Sequence, residues 1–157
     1  MSKKRNIVSD TERLKVPHGL WFFCDIPLWY HRCFLFIGTK EEMYDSFEKG
    51  TYINNLTRSE VEYARKWLER HLGQNKEDAF GINNTSFIRL SDFTIGKIDD
   101  IAFLEHECLH VANAILCEIG VQGDDNREVL AYTQEFIFKD LMVKVMKQLG
   151  LSPIKVE

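Results

Sequence analysis

Between positions 101 and 119 apolar side chains recur at steps of three and four. Ile101, Leu104, Cys108, Val111, Ile115 and Ile119 thereby form the single stripe that a half-buried helix presents to a core. Phe103, His106, His110, Asn113 and Cys117 fall on a different face, so one side of this helix packs and the other carries imidazoles. Asp99 and Asp100 offer N-cap and first-turn anions, and Gly120 stands where a helix ending near Glu118 wants its C′ residue. A second long helix is predicted over residues 126–149. It is rich in Val129, Leu130, Tyr132, Phe136, Ile137, Leu141 and Val145, and Gly150 stops it with Pro153 beyond. So many apolar positions predict a largely buried helix.

Upstream the period changes. Residues 19–24 and 29–37 are strand-like and joined through Asp25-Ile26-Pro27, which predicts a hairpin. Thr39-Lys40-Glu41-Glu42 and Thr57-Arg58-Ser59-Glu60 are capping boxes, opening helices that end at Gly50 and Gly73. Residues 86–90 form a short strand bounded by Asn83-Asn84 and Ser91-Asp92. It is expected at a sheet edge, either as an ordinary edge strand with no ligand or as one whose unpaired main-chain groups receive an extended peptide. The aromatic cluster Trp21, Phe22, Phe23, Trp29, Tyr30, Phe34 and Phe36 is most simply sheet core, with some members free to line a cleft. Together these elements predict an α+β fold with a small antiparallel or mixed sheet, forming one domain over residues 1–157 whose first fifteen residues are flexible.

Composition narrows the function classes. At 157 residues, 45% hydrophobic and 28% charged, the chain suits one globular domain with a sizeable core. A net charge of −4 argues against a general nucleic-acid surface, and the basic Lys3-Lys4-Arg5 start is too short to alter that. The most apolar stretch, residues 20–37, is interrupted by Asp25, Pro27, His31 and Arg32 and does not make a membrane span. No apolar segment follows the basic start, so no secretory signal is visible and a cytoplasmic location is expected. Cys24, Cys33, Cys108 and Cys117 match neither zinc-finger spacing nor a disulfide framework, so reduced thiols are expected.

The chemistry concentrates in His106-Glu107-Cys108-Leu109-His110. Two histidines at i and i+4 project from one helical face and can grip a single metal ion, while Glu107 between them can act on water bound to that ion. Cys108 lies on the packing stripe and reads as core. A catalytic zinc usually takes a third protein ligand, for which Glu118, Asp124, Asp125, Glu128 and Glu135 are candidates. Glu128 is favoured because it opens the second helix, although Asp125 and Glu128 also fit a capping box. Glu135 stands on the same face but pairs naturally with Lys139. Tyr132, one turn beyond Glu128, is a candidate for stabilising a developing oxyanion, against the common role of Tyr as core. Asn113 and Asp124 are candidates for holding the outer nitrogens of the histidines.

The run His106 to His110, a Gly-bearing loop, then Asn126-Arg127-Glu128-Val129-Leu130-Ala131-Tyr132 resembles the gluzincin arrangement, in the compact form of ImmA/IrrE-type and minigluzincin-like peptidases, including small phage-encoded members. The resemblance covers roughly residues 85–137. It implies a zincin-like domain with zinc held by His106, His110 and Glu128, Glu107 as general base, and a peptide or protein substrate. Residues 1–75 match no block of that family. The competing class is a non-catalytic binding module in which the metal staples two helices together; a closed site of that kind needs a fourth ligand, and no further His or Cys stands obviously in reach.

Overall fold

Side chains alternate across a strand, so the aromatic-rich segments give the sheet two apolar faces, and each face recruits its own pair of helices. The computed structural model describes residues 14–73, 78–121 and 127–151. Among these, four strands, β1 (Trp21–Ile26), β2 (His31–Ile37), β3 (Asp78–Ile82) and β4 (Thr85–Leu90), form one mixed sheet in the order β1-β2-β4-β3. β1 and β2 are antiparallel, β2 and β4 parallel, and β3 and β4 antiparallel. The helices are α1 (Lys40–Lys49), α2 (Arg58–His71), α3 (Ile98–Glu118) and α4 (Arg127–Gln148). The fold is α+β, a single domain built in three layers.

One core unites Phe22, Cys24, Cys33, Leu35, Ile37, Ile88 and Leu90 of the sheet with Leu104, Cys108, Val111 and Ile115 of α3 and Ile137, Leu141 and Val145 of α4. The other unites Phe34, Phe36 and Phe87 with Met43 and Phe47 of α1 and Ala64 and Leu68 of α2. Phe80 and Trp67 extend it, Phe80 stacking on Phe87 and on Trp67, the latter with ring centroids 3.8 Å apart. The capping boxes form as the sequence predicts: Thr39 and Thr57 accept from the backbone N–H groups of Glu42 and Glu60, and each glutamate accepts from its N-cap N–H in return. Gly50 terminates α1 with φ +69°, and Gly73 follows α2 with φ +87°.

Several expectations are corrected. Residues 86–90 do not form an edge: β4 is buried along its whole length between β2 and β3, and the edge on that side is β3, which the sequence reading missed. Its Asp78-Ala79-Phe80-Gly81-Ile82 has only moderate strand propensity, and it is held by pairing with β4 through the turn in which Asn83 adopts φ +48°. The N-cap of α3 is Lys97, not an aspartate. Asp99 and Asp100 occupy the first turn, where Asp100 accepts from Thr94 N–H at 2.9 Å. Helix α4 is not largely buried; it sinks only Thr133, Ile137, Leu141 and Val145, while Tyr132 and Phe136 are 68% and 48% exposed. Leu14 and Lys15 are tied down, Ile95 N–H donating to Leu14 O and Lys15 bridging Thr94, and the rest of the expected flexible N-terminus lies outside the described residues.

All four cysteines are free, with Cys24, Cys33 and Cys108 buried in one core and Cys117 exposed. Cys24 and Cys33 face each other across β1 and β2, and burial pushes all three core thiols up, which keeps them protonated. Among the described residues no helix is long and apolar enough to cross a membrane.

Candidate metal centre

Helix α3 rests on the sheet through Leu104, Cys108, Val111 and Ile115, and that packing turns His106 and His110 outward on the opposite side. The i, i+4 spacing then stacks the two rings: their Nε2 atoms approach to 3.0 Å and the rings stand edge to face at 89°. Glu107, next along the helix, is turned inward and only 6% exposed. Ligand atoms of His106, Glu107 and His110 all lie within 4.8 Å of one another, and they form a group able to hold a metal ion.

The donor set suits a divalent ion. Two nitrogens each about 2.0–2.1 Å from a tetrahedral centre stand roughly 3.3 Å apart, close to the observed 3.0 Å between the imidazoles. Both rings are exposed to arriving ions, and both present Nε2, the nitrogen left to bind when Nδ1 carries the proton.

Of the other residues singled out in the sequence, Glu128 stands exposed in the first turn of α4, outside the three-residue group. Glu135 pairs with Lys139 at 2.6 Å, the bland role that its spacing suggested. Tyr132 is exposed and, with Phe136, Leu28 and Trp29, lines an apolar recess of about 620 Å³ between α4 and the β1–β2 turn. Asn113 is exposed on α3; Asp124, and the Asp125 end of the proposed capping box, lie outside the described residues.

No family model, curated protein or solved structure matches this chain.

A second cleft, of about 280 Å³, runs from His110 along α3 and is walled by the edge strand β3. Gly81 keeps that wall open, because a Cβ there would meet Thr85 O at 2.4 Å and Ser86 Oγ at 3.3 Å. Behind Ser86 lies His31, 1% exposed, with Nε2 2.8 Å from Ser86 Oγ and Nδ1 3.5 Å from Glu118 Oε2. Glu118 was among the candidate third ligands, but His31 and Ser86 escaped the sequence reading as site residues, since they are distant in the chain and meet only because β2 and β4 pair in parallel.

Burial pushes the His31 imidazole down to about 4. Its unfolded value is near 6.5, so the folded state gains its full benefit above that pH and loses it as the unfolded chain takes up a proton between about 6.5 and 4. The loss amounts to about 3 kcal/mol across this window. We expect urea unfolding curves to show a decline in stability over the window that flattens in His31→Gln; an equal decline in both proteins would assign the acid sensitivity to other groups.

Proposed function

We propose that this protein is a zinc-dependent metallopeptidase of the gluzincin type. The observation that carries the reading is the convergence of two outward imidazoles and one inward carboxylate on a single helix. His106 and His110 would hold the ion through Nε2, and Glu128 would be the third ligand.

Support for Glu128 comes from the register of the two helices. Gln134 Nε2 donates to Glu105 O at 3.0 Å, fixing α4 against α3 at that level. A short connection between two long helices that share a core makes them antiparallel. Moving from Glu105 to His110 along α3 is then matched by moving from Gln134 back to Val129 along α4, the turn that carries Glu128. Glu128 is exposed in that first turn, and its carboxylate would be the donor brought to the ion.

When bound, zinc supplies Lewis acidity, polarising a carbonyl and bringing the pKa of water toward neutrality. Glu107 then takes up the proton of the attacking water on its carboxylate and returns it to the departing amine. Tyr132, one turn beyond Glu128 and exposed, is the candidate donor to the developing oxyanion. The substrate is a peptide segment, and recognition falls to the cleft walled by β3 and to the apolar recess beside Tyr132.

Elemental mass spectrometry of the purified protein tests the assignment. We expect one zinc per chain in the wild type, loss of zinc in His110→Ala and in Glu128→Ala, and retention in Glu135→Ala. A wild type that takes up no metal when zinc is supplied would sink the proposal, and zinc retained in Glu128→Ala would remove Glu128 from the ligand set.

A further inference from the structure

Glu118 is the last residue of the 21-residue helix α3, and no basic residue lies in that helix's last turn. An anion there faces the negative end of the helix dipole, an unfavourable place for it. Among the described residues His31 stands within ion-pair distance, Nδ1 at 3.5 Å, and would cancel the charge only if protonated. That nitrogen is buried and otherwise lacks a hydrogen-bond partner, while Nε2 is committed to Ser86. With Nδ1 carrying the ring proton, Ser86 Oγ–H donates to Nε2, and Nδ1 stands beside the carboxylate without a hydrogen bond to it. Since burial keeps the ring neutral near pH 7, His31 lies beside Glu118 without cancelling its charge. Burial also pushes the Glu118 carboxyl up, as expected of a charge short of compensation.

This uncompensated carboxylate opens onto the cleft that begins at His110. His110 and Glu118 are separated by about 12 Å along the helix axis. An extended chain advances about 3.3 Å per residue, so a substrate residue about four positions from the reacting bond comes level with Glu118. The volume of about 280 Å³ suits one long side chain, and Gly81 and Ala114 leave its walls low.

We propose that Glu118 is a specificity residue that receives the lysine or arginine side chain of a peptide substrate in the cleft between β3 and α3. The inference rests on the peptidase reading for its substrate class, but the cation site itself can be tested without turnover. Zinc-loaded protein is titrated with butylguanidinium chloride and, separately, with neutral pentanamide, following backbone amide NMR shifts. We expect butylguanidinium to shift residues 79–86 and 114–118, pentanamide to leave them unmoved, and Glu118→Gln to weaken binding about tenfold or more. Ala114→Leu, which keeps the charge and fills the cleft, should weaken it as well. Equal response to both probes, or binding unchanged in Glu118→Gln, overturns the proposal. The same proteins are then given a proteome-derived peptide mixture, and the new termini are mapped. Enrichment of Lys and Arg at one subsite, lost in Glu118→Gln, supports the proposal, and cleavage without such enrichment overturns it. Glu118-dependent guanidinium binding with no cleavage by any protein supports the cation site and overturns the peptidase reading.

Discussion

Replacing Glu107 by Gln is expected to lower peptide hydrolysis by about 10²–10⁴-fold while leaving one zinc per chain. Gln matches Glu in shape, which matters for a side chain only 6% exposed, so the packing around α3 should survive. What it loses is the capacity to accept a proton, and general base catalysis is the step that needs it. The His106 and His110 imidazoles are untouched, so metal content should not change. Cleavage of a peptide mixture, read by mass spectrometry beside elemental analysis of the same sample, decides the matter. Loss of zinc together with activity would make Glu107 a ligand; undiminished cleavage would assign the base elsewhere. Under the competing view of a metal that only staples helices, Glu107→Gln changes nothing, while His110→Ala releases metal and lowers the melting temperature.

A comparably large effect, on stability, is expected from Asp78→Ala. Asp78 Oδ2 accepts from Arg89 Nη2 at 2.9 Å and Nε at 3.1 Å, and lies 3.3 Å from Lys40 Nζ. Arg89 and Lys40 are almost wholly buried, at 1% and 2% exposure. Arg89 also donates to Gly38 O and Ser91 Oγ, and Lys40 lies over the Trp67 ring, but Asp78 is the carboxylate that both cations share. Removing one partner of a buried ionic group costs about 3–5 kcal/mol, because the remaining charge keeps its desolvation penalty. For a chain of this size the melting temperature should fall on the order of 10 °C. Adding Lys40→Met should recover part of the loss. A change under about 1 kcal/mol would show that water reaches the cations once Asp78 is gone. Since Asp78 opens the edge strand β3, the variant should also loosen the cleft beside His110.

Local signals make much of the architecture legible in the sequence. The capping boxes at Thr39 and Thr57 act within one turn, the stripe on α3 repeats with the helical period, and the hairpin of β1 and β2 joins neighbours in the chain. Cys108 falls in the core, where its place on the stripe put it. The approach of His106 to His110 is likewise local, because a single helix turn sets it.

Where the reading failed, the deciding contact was remote. β3 has no strong pattern of its own and becomes a strand by pairing with β4, which in turn is buried because β2 takes its other edge. Helix α4 has apolar residues on nearly every face, so its period could not say which side is buried; the sheet selected Ile137, Leu141 and Val145 and left Tyr132 and Phe136 outside. His31 and Ser86 are ordinary strand residues until parallel pairing sets them side by side against the end of α3. The sequence by itself determined the helices, the capping boxes at Thr39 and Thr57 and the paired imidazoles, since each depends on neighbours within a few residues. Only the tertiary structure decided which strand forms the edge, which face of α4 is buried, and that Glu118 meets a neutral histidine in a cleft, because those outcomes depend on burial and on contacts between segments far apart in the chain.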